Sequence, residues 1–158
     1  MNWRTYKQHK RKLAEVNVFW THSSAFFSRL IRLFTQSTVS HTGFLIREHG
    51  RVMCYEYVEG SGCIQMPASN RFGINENILT LPVNVNKDKL LKALYKDVGR
   101  VKYNMIGALI SLVRRTQNEE RFCSEAVAEK LNLKLEHLNR GITPADVLTA
   151  LSDNNGRR

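Results

Sequence analysis

No apolar run in this chain approaches the ~20 residues that a bilayer-spanning helix needs. The basic start, Met1 to Lys12, leads into no continuous apolar stretch, so a cleaved secretory signal is not expected. Cysteine is scarce. Cys54, Cys63 and Cys123 are an odd set without metal-type spacing, which argues for free thiols in a reducing compartment. Neither a metal nor a cofactor is expected, and the expected location is cytoplasmic. No internal repeat or linker interrupts the 158 residues, which suit one domain with one core. Acidic residues are also few, 14 against 24 Lys and Arg, for a net charge of +10. Arg4, Lys7, Lys10, Arg11 and Lys12 all precede the first acid, Glu15. Such a surplus favours anionic partners such as nucleic acid, lipid headgroups or an acidic polymer, although a simply solvated arm fits it as well.

What is present is the patterning of a folded α+β domain. The hydrophobic fraction, 42%, is ordinary for a globular protein. Residues 1–14 read as a basic N-terminal arm, residues 15–151 as the domain and residues 152–158 as a flexible tail. Val16 to Trp20 is a short strand candidate. Phe26, Phe27, Leu30, Ile31 and Phe34 recur at helical spacing. Two β-rich stretches, His41 to Arg47 and Arg51 to Val58, flank Glu48-His49-Gly50, whose glycine suits a hairpin turn. Cys63 to Met66 reads as another strand, Pro67 to Asn77 as a loop, and Ile78 to Val83 as a strand with Pro82 near an edge or end. Helices are predicted from Leu90 to Val98, from Met105 to Val113 and from Arg121 to Leu131. Thr143-Pro144-Ala145-Asp146 carries the signature of a helix start.

The hairpin sets a register. With an even loop, Arg47 faces Val52, Leu45 faces Cys54, Gly43 faces Glu56 and His41 faces Val58. Side chains alternate between faces, so His41 and Glu56 share one face as diagonal neighbours, about 7–8 Å apart by backbone. A carboxylate there can bond one imidazole nitrogen and fix the tautomer and ring plane. Gly43 offers no side chain to obstruct the approach. A surface carboxylate and a strand-end histidine are the plainer readings of the same residues.

Cys123 opens a stretch with apolar Ala126, Val127 and Leu131, consistent with a helix packed on a sheet. A thiol in the first helical turn feels the positive end of the helix dipole, which favours the thiolate. A buried structural cysteine is the alternative. Cys54 and Cys63 read as structural.

Together these stretches resemble a known family. They are Ser28-Arg29-Leu30-Ile31-Arg32 followed by Ser40-His41-Thr42-Gly43, Tyr55-Glu56 followed by Gly60-Ser61-Gly62, Lys102-Tyr103-Asn104, Phe122-Cys123-Ser124-Glu125, and Thr143-Pro144-Ala145-Asp146. The order histidine, acid, cysteine resembles the circularly permuted papain-like amidases of the NlpC-type superfamily, the group that includes the YaeF/YiiX proteins. The resemblance spans roughly residues 15 to 150. It implies a permuted papain-like α+β fold: a small antiparallel sheet packed against helices, with the catalytic cysteine at a helix N-terminus. It implies a thiol hydrolase of amide bonds with Cys123 as nucleophile, His41 as base and Glu56 as the third group. Tyr103 and Ser124 would line the substrate or oxyanion site. The substrate would be a peptide or another acyl compound, and a bacterial or phage origin would fit. Many members begin with a Gly-Asp turn, where this chain has Glu15-Val16-Asn17-Val18. The expected lack of an export signal weakens the inference of a cell-wall substrate.

Two other functions fit parts of the sequence. A lipid acyl hydrolase or acyltransferase on the same fold would use the Phe26-to-Phe34 face and the basic arm at a membrane. A catalytically silent nucleic-acid- or membrane-binding module would use the charge alone. His22 and His137 are rival bases outside the matching motifs.

Overall fold

The structure is a computed structural model that describes residues 3–22, 38–58, 61–73, 76–100, 123–135 and 142–156. The helices expected over Phe26–Phe34 and Met105–Val113, together with Tyr103 and His137, lie outside the described residues.

The described chain forms one antiparallel sheet with helices on both faces. Its strands are β1 (Arg4–Thr5), β2 (Val16–Thr21), β3 (His41–Glu48), β4 (Arg51–Val58), β5 (Gly62–Pro67) and β6 (Asn77–Pro82). Their spatial order is β1-β6-β2-β3-β4-β5. The helices are α1 (Tyr6–His9), α2 (Ala68–Arg71), α3 (Lys87–Asp97), α4 (Cys123–Lys130) and α5 (Pro144–Gly156). No described helix is long and apolar enough to cross a membrane.

Strand β2 shows why both faces are covered, since all six of its residues are buried. Val16, Val18 and Trp20 join Phe44, Ile46 and Tyr55 in a core closed by Leu90 and Leu94 of α3, Val127 of α4, and Val147 and Leu151 of α5. Phe19, between them in sequence, faces the other way. It packs with Leu45, Cys54 and Ile78 under Tyr6, Leu13, Ala68 and Phe72. The indole N–H of Trp20 donates to the Pro144 carbonyl at 2.9 Å and ties the sheet to the start of α5.

The register is the one the hairpin pattern predicts, with Gly43 opposite Glu56, Leu45 opposite Cys54 and Arg47 opposite Val52. His49 (φ 47°) and Gly50 (φ 76°) make a two-residue turn with both central residues left-handed, the geometry that matches strand twist in tight hairpins. Helix α3 is capped by Asn86, whose side-chain oxygen accepts from the Lys89 N–H at 2.9 Å. At the start of α5, Asp146 accepts from both the backbone N–H and the hydroxyl of Thr143, at 2.8 and 2.7 Å.

The structure adds to the sequence reading in three places. Pro67 to Asn77 is not all loop, because Ala68–Arg71 turns as a helix whose Ala68 is fully buried. The first residues, read as an arm, contribute β1 and α1. Tyr6 and Leu13 are buried beneath the exposed Lys and Arg of that segment. These two apolar anchors, the pairing of β1 with β6 and Arg47, which donates to the Lys10 and Leu13 carbonyls, hold the segment on the sheet. At the other end, α5 continues through Gly156, into the segment read as a tail.

Candidate active site

The site lies where the first residues of β3 meet the first turn of α4. His41 opens β3, and Cys123 is the first described residue of α4. Glu56 lies on β4 opposite Gly43, on the face that His41 shares by alternation. The diagonal approach closes fully, with His41 Nε2 2.8 Å from Glu56 Oε2. That bond uses one ring nitrogen and leaves Nδ1 for the hydrogen bond the imidazole makes with the Cys123 sulfur. The His41 side chain keeps 20% exposure, while Glu56 is 1% and Cys123 3% exposed.

Backbone geometry completes the sulfur's surroundings. The backbone N–H groups of Thr42 and Ser124 lie near enough to favour the thiolate form. Thr42 is held in turn by its hydroxyl, which donates to the Phe19 carbonyl at 2.9 Å. Ser124 is fully buried, and its hydroxyl donates to the Ile142 carbonyl at 2.5 Å. The Ser124 side chain therefore anchors α4 and is turned to that carbonyl; only its backbone faces the sulfur. At the far end of α4, Lys130 pairs with Asp97 at 2.7 Å, and Asp97 also accepts from the Tyr57 hydroxyl at 2.5 Å. Both ends of the cysteine helix are thus fixed to the rest of the fold.

Charge makes these contacts consequential. Burial alone would push the His41 imidazole down, but the facing Cys123 sulfur and the Glu56 carboxylate outweigh it and raise the group to about 10. Burial would push the Cys123 thiol up, but the charge and hydrogen bond of His41, with the two backbone N–H groups, bring it below the ordinary thiol range. Burial would also raise Glu56, yet the His41 bond and the charges of His41 and Arg71 hold it below the usual carboxylate value. The same forces favour a thiolate–imidazolium pair. The other two thiols go the opposite way. Burial raises Cys54 far up and Cys63 to about 11.

The structure brings Cys123, His41 and Glu56 together. Tyr103 falls outside the described residues. His22 is placed against Trp3, ring centroids 4.8 Å apart and perpendicular.

The fold is shared with a solved structure. Metalloprotein YiiX from Escherichia coli O157:H7 superposes with a TM-score of 0.61, over 86% of this chain and 92% of that one, at 16% identity. This chain has the YiiX fold. No family profile matches the sequence, and no curated protein matches it either. The likeness to YiiX-like proteins, read from short motifs, is met in the fold. YiiX is described as a metalloprotein. Among the described residues here, no group of three or more His, Cys, Asp and Glu side chains is placed to hold a metal ion. Both Glu56 oxygens are also engaged, one by His41 and one by Arg71, and a guanidinium at that carboxylate would repel a cation. The described residues do not fit a metal centre.

Two contributors escaped the sequence reading. Arg71 donates from Nε to Glu56 Oε1 at 2.5 Å. Phe19 packs between His41 and Phe72, with ring centroids 6.3 and 5.1 Å away. A fully buried carboxylate is the signal that could have pointed to a cation, because such a group needs more than one partner. That signal names the need without naming the residue. Gly43 also makes room for a ring that the sequence reading did not name. A Cβ there would lie 2.5 Å from the Tyr55 carbonyl oxygen and 2.7 Å from Phe19 Cε1, so the glycine admits the Phe19 ring.

Proposed function

We propose that the protein is a thiol hydrolase that cleaves an amide bond through an acyl-enzyme on Cys123. One observation carries this reading: a single imidazole bridges a buried sulfur and a buried carboxylate. The YiiX fold and the lowered thiol support it.

In this reading the Cys123 thiolate attacks the carbonyl carbon and a C–S bond forms. The C–N bond then breaks, and the His41 imidazolium gives its proton to the departing amine. The neutral imidazole next takes a proton from water, whose oxygen displaces the thiolate and releases the carboxylic acid. Glu56 holds the ring so that Nδ1 faces the sulfur, and it stabilises the imidazolium form. The nearby N–H groups of Thr42 and Ser124 favour the resting thiolate.

The test is labelling with a haloacetamide and turnover of an activated acyl amide, in wild type, Cys123→Ala and His41→Ala. Cys123→Ala should lose labelling at this position and all turnover. His41→Ala should lose roughly 10²- to 10⁴-fold in turnover. Wild-type rates in Cys123→Ala would end the assignment.

A further inference from the structure

The buried carboxylate of Glu56 has two partners of different kinds. Oε2 meets His41 Nε2 at 2.8 Å, and Oε1 meets Arg71 Nε at 2.5 Å. Donors on opposite oxygens fix the plane of the carboxyl group as well as its position. The imidazole can lose its charge, whereas a guanidinium stays charged throughout the working range. Arg71 is itself held. Its Nη1 lies 3.4 and 3.5 Å from the Glu76 oxygens, and its guanidinium sits over the Phe72 ring, 5.2 Å from the centroid. The described side chains thus form a row of alternating charge: Cys123, His41, Glu56, Arg71 and Glu76.

We propose that Arg71 is a positioning residue of the site, holding Glu56 as a carboxylate with one oxygen presented to His41. This rests on the thiol-hydrolase reading. Without a permanent cation, a carboxyl group this deeply buried takes up a proton more readily. A protonated Glu56 cannot stabilise the imidazolium, and the thiolate then loses its counter-ion. Arg71 reaches the sulfur only through two intervening groups, so it acts by keeping the row charged. The groups facing Glu56 are His41 from β3, Arg71 from α2 and Cys54 on its own strand. Glu76 lies beyond Arg71, and Cys123 of α4 lies beyond His41.

The experiment is the pH profile of iodoacetamide alkylation of Cys123 in the full chain, with the alkylated peptide identified by mass spectrometry. Wild type should react at pH values well below the ordinary thiol range. In Arg71→Met and Arg71→Gln the acidic limb should move up by about one pH unit or more, and Arg71→Lys should restore most of it. In a Glu56→Gln background, Arg71→Met should move the limb no further. Arg71→Gln keeps a hydrogen-bond donor and carries the test if Arg71→Met does not fold. A limb that stays in place in these variants while melting temperature falls would mean that Arg71 is structural, and the proposal is overturned alone. A wild-type limb at the ordinary thiol value would overturn the thiol-hydrolase reading, and this proposal with it.

Discussion

One hairpin carries two buried carboxylates, and they are held differently. At the turn end, Glu48 accepts from the hydroxyls of Tyr55 and Tyr95, both at 2.6 Å. At the open end, Glu56 accepts from an imidazole and a guanidinium. Glu48 is 8% exposed and Glu56 1%, so burial does not separate them. The donors do. Phenols are neutral, and burial raises the Tyr55 hydroxyl still further from ionisation, so the turn end is a fixed hydrogen-bonded knot. Gln65 extends it by donating to the Tyr55 hydroxyl at 2.8 Å. The open end is made of charges, one of which can move a proton. The same residue type on the same ribbon is held by neutral hydroxyls at one end and by an imidazole and a guanidinium at the other.

The largest expected effect comes from deleting the two acids in turn. Glu56→Ala leaves His41 and Arg71 facing each other without their shared anion. Breaking a buried ion pair on one side costs about 3–5 kcal/mol, and turnover should fall with it. Glu48→Ala leaves two phenols without an acceptor, a loss of about 1–3 kcal/mol, and Cys123 reactivity should not change. Urea unfolding and haloacetamide labelling read the two quantities separately. If Glu48→Ala slows labelling as much as Glu56→Ala, the division between the two ends is wrong.

The ends should also differ in how they respond to pH. His41 is raised from 6.5 to about 10. Its stabilising contribution is therefore fully present below 6.5 and fades as pH rises through about 10. Glu56 is depressed below 4.5, so its contribution is present above 4.5 and is lost as pH falls through the lowered value. His41 and Cys123 titrate as a pair, and each step belongs to both. Cys123→Ser, which removes the facing thiolate, should bring the His41 titration down toward its ordinary value. Glu48→Gln should leave it in place. NMR titration of the His41 ring measures both, and a wild-type midpoint near 6.5 would remove the thiolate–imidazolium pair from the site.

A third contrast concerns the strand between the two acids. Gly43→Ala forces a methyl group against the Tyr55 carbonyl and the Phe19 ring. A backbone oxygen cannot swing aside, so β3 and β4 must part where Gly43 faces Glu56. Overpacking of this kind costs about 1–3 kcal/mol, and the melting temperature should drop accordingly. An unchanged melting temperature would show that the Phe19 ring is not seated there.

The open end was largely legible in the sequence because its determinants are local. Gly50 allows a two-residue turn, the turn fixes the parity, and parity places His41 and Glu56 on one face. The start of α5 was legible for the same reason, since Thr143 and Asp146 are three residues apart. Arg71 was not legible. It comes from a helical turn of four residues between Pro67 and Phe72, too short to show periodicity. Nor was the layer over Phe19, because Tyr6 and Leu13 are isolated among charges and their burial depends on a sheet face formed by distant strands. The meeting of Cys123 with His41 lay between these extremes. Each motif was visible, but 82 residues separate them (123 minus 41) and only their order resembled a known arrangement.

The smallest expected effect tests the knot at the turn end. Tyr95 is 46% exposed yet bonds Glu48 Oε2 at 2.6 Å. Its ring also meets Tyr55 nearly edge-on, with centroids 6.1 Å apart. Tyr95→Phe keeps that ring contact and deletes only the hydroxyl. Water can reach a half-exposed position and replace the lost donor, so the cost should sit near the low end of a hydrogen bond's worth, about 0.5 kcal/mol. Tyr55→Phe removes a donor from the core, where water cannot replace it, and should cost more. Neither change touches a charge that His41 or Cys123 faces, so alkylation of Cys123 should keep its wild-type pH profile in both. A shifted profile in Tyr95→Phe would show that the turn end communicates with the sulfur, and that the hairpin is one electrostatic unit instead of two.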